Sequence, residues 1–196
     1  MKRSTLIGGG LAAGLLVSMT VAAPAFAGPV QIFPWEESET IVHEVGEEDW
    51  CDPEVVDFEV TEYFEGRGID RITTQKDGII RFAGLYDVVS EYTANGKTFT
   101  IESQGNSRDH KIVDNGDGTL TIYFKDAFKS TVWIDGEFLF HDSGSGSGAF
   151  LIDHNGTPTF PDDDIFLGFA EDPVNHGRID TADRDFCEDL AIYLGD

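Results

Sequence analysis

The sequence predicts an all-β protein in which about eight to ten antiparallel strands follow one another as a meander. Apolar and polar residues alternate over most of the chain after residue 53, and Asn-Gly or Asp-Gly pairs recur about every 20 residues. Alternation is what a strand with one buried face requires, because successive side chains point to opposite sides. Asn-Gly and Asp-Gly favour the positive φ angles of tight hairpin turns. Since an open meander leaves two unpaired edges, we expect a closed barrel in preference to a sandwich.

Residues 1–27 have the pattern of a cleavable secretion signal. Lys2 and Arg3 supply the positive start, an apolar stretch follows, and Ala25-Phe26-Ala27 has the small-x-small pattern of a cleavage site. Glycines within the stretch and acidic residues after it disfavour a membrane anchor. We therefore expect a secreted protein whose 196 residues, less these 27, leave 169 in the mature chain.

Residues 28–50 are rich in glutamate and lack sustained alternation, so most of them are predicted to form an acidic flexible leader, with a short edge strand at residues 41–45 as the open alternative. Residues 51–196 then form the barrel-like domain. Between successive Asn-Gly-type turns there is room for two strands, so we expect further turns midway, at residues 105–107, 125–129 and 143–148. Residues 182–194 have apolar residues at a spacing typical of a helix, but the segment is short and also fits a strand.

The alternation also predicts which side chains point into the core. A one-residue error in strand register would move the whole set to the other face. The expected inward residues are Phe58, Val60, Phe99, Ile101, Leu120, Ile122, Phe124, Val132, Ile134, Phe138, Phe140, Phe150 and Ile152.

Cys51 and Cys187 are the two cysteines of the chain. In an oxidising compartment such a pair is best explained as one disulfide, which we expect to tie the two termini of the domain together. Neither cysteine has a second Cys or a His at ligand spacing, which disfavours a metal site or a catalytic thiol.

The charge of the chain restricts its partners. Removing the two positive charges of Lys2 and Arg3 takes the formal net charge from −24 to −26. Such a protein repels phosphate backbones, so we expect no nucleic-acid binding. Acidic side chains exposed to solvent account for the composition, and binding of a basic partner or of a cation is the open alternative.

Two acidic segments are candidates for a calcium site. Asp114 and Asp117 lie in a turn that is similar to the start of an oxygen-rich calcium loop, and Asp162, Asp163 and Asp164 form the densest carboxylate run. Calcium takes six to eight oxygens, and the first segment has no downstream Glu to complete the set. We therefore expect no cofactor and keep calcium as the open alternative. Sequence motifs of common hydrolases, metalloproteases and nucleotide-binding proteins are absent.

The order of these features resembles a family of uncharacterised two-cysteine secreted proteins of Gram-positive actinobacteria. The matching parts are the signal, Cys51, the turns at Asp77-Gly78, Asn95-Gly96-Lys97 and 116–119, and the closing segment Asp185-Phe186-Cys187-Glu188-Asp189-Leu190. The resemblance implies a secreted β domain and no known activity.

We therefore expect a secreted, monomeric protein that acts as a non-catalytic binding or envelope-associated module. Two alternatives remain open. One is a carrier of a small apolar ligand, with a Phe-lined lumen as in lipocalins. The other is a barrel enzyme of the allene oxide cyclase or dirigent kind, whose chemistry depends on cavity shape and leaves no sequence motif.

Overall fold

The computed structural model describes residues 30–75, 78–157 and 161–195, so the predicted secretion signal lies outside the described residues. Its strands pair antiparallel with their sequence neighbours in one seven-stranded sheet, in the order β1 to β7. The predicted all-β antiparallel meander is thereby confirmed. The elements are β1 (Val30–His43), β2 (Val60–Thr74), β3 (Ile80–Ala94), β4 (Lys97–Asp114), β5 (Thr119–Ile134), β6 (Glu137–Asp153), a 3-10 turn (Pro161–Asp163), β7 (Ile165–Ile179) and α1 (Phe186–Leu194).

Within the described residues the sheet is open, so the predicted closed barrel is not supported. Within the described residues β1 and β7 are the two edges and do not pair with each other. A small barrel needs a continuous apolar inner face to fill its interior. Here the buried residues form two separate clusters, one toward each end of the strands, and the middle of the sheet is rich in Gly and Ser.

In the part of the chain that the structure describes, the strands are fewer and longer than predicted. They contain 14 to 18 residues each, and the turns predicted at 105–107, 125–129 and 143–148 all lie in the middle of strands. Glycine and serine normally interrupt a strand because they supply no apolar side chain to a buried face. In the middle of this sheet that requirement is absent, so the backbone ladder continues through them.

Neighbouring side chains cover the mid-strand glycines. A Cβ atom added to Gly105 would lie 2.6 Å from the hydroxyl oxygen of Tyr86, and one added to Gly148 would lie 3.0 Å from the ring of Phe124. The ring of Trp35 lies in the same way over Gly68. Aromatic rings that cover glycines on adjacent strands bury the backbone that glycine exposes. The glycines are therefore part of the packing of the sheet.

The hairpin turns agree with the sequence prediction. Asn95-Gly96 and Asp135-Gly136 each have two consecutive positive φ angles, 51° with 74° and 48° with 81°. Two-residue turns of this kind match the twist of the flanking strands. Asn115-Gly116 begins the β4–β5 turn. Of the predicted turn at Asp77-Gly78, Asp77 lies outside the described residues.

The segment predicted as a flexible leader forms the edge strand β1. Residues 30–43 pair with β2 over their full length, which corrects that prediction. His43, at the end of β1, stacks on Trp50 with ring centroids 3.6 Å apart, and its Nε2 lies 3.0 Å from the carboxylate of Glu62 on β2. Cross-strand hydrogen bonds and these contacts hold an acidic sequence that has little apolar alternation of its own.

The larger core lies between α1 and one face of the sheet, which we call the helix face. Phe99, Leu190 and Leu194 are at most 1% exposed, and Phe140 and Val132 join them. Asp185 caps the helix by accepting hydrogen bonds from the N–H groups of residues 187 and 188. Register and parity place the predicted inward residues of β4 and β5 on this face.

Phe138 departs from the predicted inward set. A bulge between Val132 and Trp133 shifts the pairing, so Phe138 lies opposite Trp133 and is 52% exposed. The two rings meet edge to face, with centroids 5.9 Å apart. Phe140, two residues later, keeps its predicted place in the core. An inserted residue changes parity locally, which alternation alone does not reveal.

Cys51 and Cys187 form the predicted disulfide. The bond does not tie the termini, because the whole of β1 precedes Cys51. It joins the β1–β2 connection to the first turn of α1, over a sequence separation of 136 residues. Closing a loop of that length in the unfolded chain corresponds to roughly 5 kcal/mol in the loop-entropy model.

We expect Phe99→Ala to lower the free energy of unfolding by about 3–5 kcal/mol, because Phe99 is 1% exposed and packs against Tyr193 of the helix. Thr100→Ala, at the next position of β4 and on the opposite face, should change it by less than about 1 kcal/mol. Urea unfolding followed by far-UV circular dichroism measures both. Equal losses at the two positions would contradict the assignment of faces.

Candidate binding face

The face of the sheet opposite the helix face concentrates positive charge. Arg71 on β2 lies opposite Ala83 on β3, Ala83 lies opposite Arg108 on β4, and Arg108 lies opposite Lys125 on β5. Directly opposed residues of an antiparallel pair point to the same side. These four residues therefore form one row across the sheet, with Arg81 two positions before Ala83 on the same side.

Eight of the nine lysines and arginines in the described strands lie on this surface, which we call the cationic face. The exception is Lys97, whose ammonium group donates a hydrogen bond to the carbonyl oxygen of Gly195. In a chain of net charge −24 this separation creates a local positive region. The eight residues are Arg67, Arg71, Arg81, Arg108, Lys111, Lys125, Lys129 and Arg178.

The arginines of the cationic face differ in their partners. Arg67 forms an ion pair with Asp87 at 3.0 Å, and Arg178 pairs with Asp180. For Arg71, Arg81 and Arg108, no carboxylate oxygen lies within 4.0 Å among residues 30–75, 78–157 and 161–195. Three guanidinium groups therefore remain available to an external anion.

These three arginines line a surface concavity of about 280 Å³, together with Asp109. The Nε of Arg81 is buried there and has no hydrogen-bond partner within the part of the chain that the structure describes. Arginine donates five hydrogen bonds in a planar fork that matches carboxylate and phosphate groups. The concavity therefore has the chemistry of an anion site.

A second concavity, of about 290 Å³, adjoins the first and shares Arg71 and Arg108 with it. Its apolar wall is formed by Ile32, Ile69 and Leu85, which are 65%, 46% and 56% exposed. Exposed branched side chains on three adjacent strands form a contiguous apolar patch. Beside the arginines there is thus a surface for the apolar part of a ligand.

Asp109 is the carboxylate that lines the first concavity together with the arginines. Burial raises the pKa of Asp109, and the hydrogen bond from the N–H of Phe82, at 2.7 Å, and the charge of Arg81 partly offset this rise. A raised pKa means that ionised Asp109 is less favourable in the folded protein than in the unfolded chain. Its position also reduces the net positive charge of the concavity.

Among the described side chains, the acidic candidates from the sequence do not line either concavity, and they form hydrogen bonds within turns. Asp114 accepts a hydrogen bond from the N–H of Gly116, and Asp117 accepts two from Thr119. The side-chain hydrogen bond from Thr119 lowers the pKa of Asp117. Such local bonds are the usual reason for aspartate in turns.

The second acidic run overlaps the 3-10 turn before β7. Asp163 accepts hydrogen bonds from the hydroxyl of Thr157, the N–H of Asp164 donates to the carbonyl oxygen of Pro161, and the side chain of Asp162 lies outside the described residues. No cluster of three or more His, Cys, Asp or Glu suited to a metal ion occurs in the described ranges. Calcium binding stays an untested alternative.

Comparison with known proteins gives no match to any protein-family model, curated protein or solved structure. The resemblance to secreted actinobacterial proteins therefore stays a prediction. Among the described residues, no helix has the length and apolar character needed to cross a membrane.

The cationic face was not predicted from the sequence. On β5 the sequence carried a signal for it, because Lys125 and Lys129 have the opposite parity to the apolar Ile122 and Phe124. Parity within one strand does not show which residues of other strands are neighbours. Strand order and register supply that information.

We expect Asp109→Asn to be more stable than the native protein at pH 7, because it removes a carboxylate whose pKa is raised by burial. The difference should shrink as the pH falls to about 3, where Asp109 is largely protonated in both the folded and the unfolded state. Urea unfolding at the two pH values measures it.

Asp117→Asn is the matched control with the opposite sign. The pKa of Asp117 is lowered, so this variant should be less stable than the native protein at pH 7 and should approach it at low pH. The same pH dependence in both variants would contradict the environments assigned to the two carboxylates.

Proposed function

We propose that this chain is a secreted, non-catalytic binding module that holds an anionic polymer of the cell envelope on its cationic face. The observation that supports the proposal most directly is the convergence of Arg71, Arg81 and Arg108 on one concavity without a carboxylate partner within 4.0 Å in the described chain. Cationic side chains that are already paired would have to be released before they could bind an anion.

The spacing of the cations suits a chain of repeated anionic groups. Neighbouring strands lie about 4.8 Å apart, so the row from Arg71 on β2 to Lys125 on β5 spans about 14 Å. A polymer lying across the strands would meet guanidinium and ammonium groups in succession. Successive phosphate or carboxylate groups are the matching chemistry.

The net charge of −24 opposes this binding at long range. At physiological ionic strength, however, charges more than about 8 Å apart in solvent are largely screened. The rows that contain Ile69 and Arg71 carry no carboxylate on β1 to β6, so the local charge there is positive. The attraction between a bound anion and the nearby arginines should therefore exceed its repulsion by the distant acidic residues.

A small amphiphilic anion is the second candidate ligand, and the apolar wall of Ile32, Ile69 and Leu85 beside the arginines favours it. The two barrel-based alternatives, a carrier with an internal lumen and a motif-less barrel enzyme, both require a closed cavity. The described strands form an open sheet, so neither alternative gains support.

We expect the double variant Arg71→Gln with Arg108→Gln to weaken binding of inorganic polyphosphate by about tenfold or more, because it removes two unpaired guanidinium groups. Native binding should weaken by roughly tenfold between 50 and 200 mM salt, as a few phosphate contacts predict. Fluorescence anisotropy of labelled polyphosphate measures the affinity.

Arg67→Gln is the matched control, because Arg67 lies on the same face but is already paired with Asp87. This variant should retain affinity within about twofold. Equal losses in the control and the double variant, or no polyphosphate binding by the native protein, would contradict the proposed site. Native mass spectrometry that finds a bound small amphiphile and no polymer affinity would favour the second candidate.

A further inference from the structure

The edge strand β7 presents an unusual amount of apolar surface. Ile165, Phe166, Leu167 and Phe169 are between 44% and 59% exposed, and the strand has no neighbour on its outer side within the described residues. Phe166 and Phe169 contact each other edge to face, and Phe166 also packs near Phe150 of β6. The apolar cluster around Ile152 and Phe150 thus continues through Phe166 to the open edge of the sheet.

The two edges of the sheet differ in their protection. β1 contains Pro34 and the carboxylates of Glu36, Glu37 and Glu39, which are common means of preventing another strand from pairing. β7 carries Glu171, Asp172 and Pro173 in its middle, and its pairing with β6 shifts register twice between residues 166 and 171, but its first six residues, at 165–170, contain no charge and no proline. An exposed apolar edge of this kind is a template for an added strand.

The charges that flank this segment indicate the nature of its occupant. Asp163 and Asp164 precede it, and Glu171 and Asp172 follow it. A second copy paired antiparallel through 165–170 would set each acidic pair opposite the other acidic pair of its partner, and like charges in opposed positions destabilise a sheet. A partner strand with basic ends would instead place an opposite charge at each end.

We propose that residues 165–170 of β7 bind an extended peptide segment of another protein, with a short apolar centre and Lys or Arg at both ends, as an added eighth strand. Backbone hydrogen bonds to the open edge supply affinity, and alternate side chains of the segment cover Phe166 on one side and Ile165 on the other. None of these residues lines the arginine concavities on β1 to β4, and the proposal is independent of polyanion binding.

The test uses a synthetic nonapeptide in which Lys-Arg and Arg-Lys flank Val-Thr-Val-Thr-Val, titrated onto the purified protein. We expect saturable binding by fluorescence anisotropy, with slowed amide hydrogen exchange in residues 165–170 and unchanged exchange in β1. A peptide with proline at its centre should bind about tenfold more weakly, because it loses a ladder hydrogen bond. A peptide with Glu at both ends should bind more weakly still.

Leu167→Lys should lower the affinity for the basic peptide by about tenfold or more, because it places a positive charge on the edge. Ile192→Lys is the matched control, since Ile192 is also exposed but lies on α1, and it should bind like the native protein. Unchanged far-UV circular dichroism establishes that both variants are folded.

Three results would overturn the proposal. The proline peptide could bind as tightly as the parent peptide, which would reduce the interaction to general charge attraction. Exchange could slow elsewhere than in 165–170. Sedimentation could show a native dimer that Leu167→Lys dissociates, which would assign the edge to a second copy of this chain.

Discussion

The packing of α1 and the β1–β2 connection onto one end of the helix face is the interaction on which the rest of the structure depends. A single sheet with water on both faces buries too little apolar surface to hold itself together. Here Leu190 and Leu194 are fully buried against the sheet, and the disulfide joins the connection to the helix. The side-chain amide of Asn95 donates to the carbonyl oxygen of Leu194, so the β3–β4 hairpin is attached to the same core.

The strand register that is fixed at the α1 end of the sheet determines which side chains meet on the cationic face. Hairpin turns with paired positive φ angles fix β3 against β4 and β5 against β6, and the antiparallel ladders continue from there over 12 or more residue pairs. A one-residue slip in β4 would move Arg108 from the cationic face to the helix face. The convergence of Arg71, Arg81 and Arg108 therefore depends on packing at the opposite end of the strands.

The middle of the sheet is held by other means. Trp35, Tyr86 and Phe124 cover glycines with their rings, and Ser103 shares a hydrogen bond with Ser130 across β4 and β5 at 2.9 Å. These contacts need no second layer, so both faces remain open there. An open sheet exposes a broad face and a free edge to ligands, whereas a closed barrel would offer mainly its lumen.

The sequence by itself determined the all-β class, the antiparallel meander, the disulfide and most hairpin turns, because alternation, Asn-Gly pairs and two cysteines are local signals. It misassigned residues 30–43, because an edge strand is held by its pairing with the neighbouring strand. It also misassigned the mid-strand glycines, which are covered by rings from adjacent strands, and Phe138, whose side is changed by a bulge in the pairing. Only the tertiary structure decided that the sheet stays open and that its arginines converge. Strand order and register decide those features, and they arise from contacts between residues far apart in the chain.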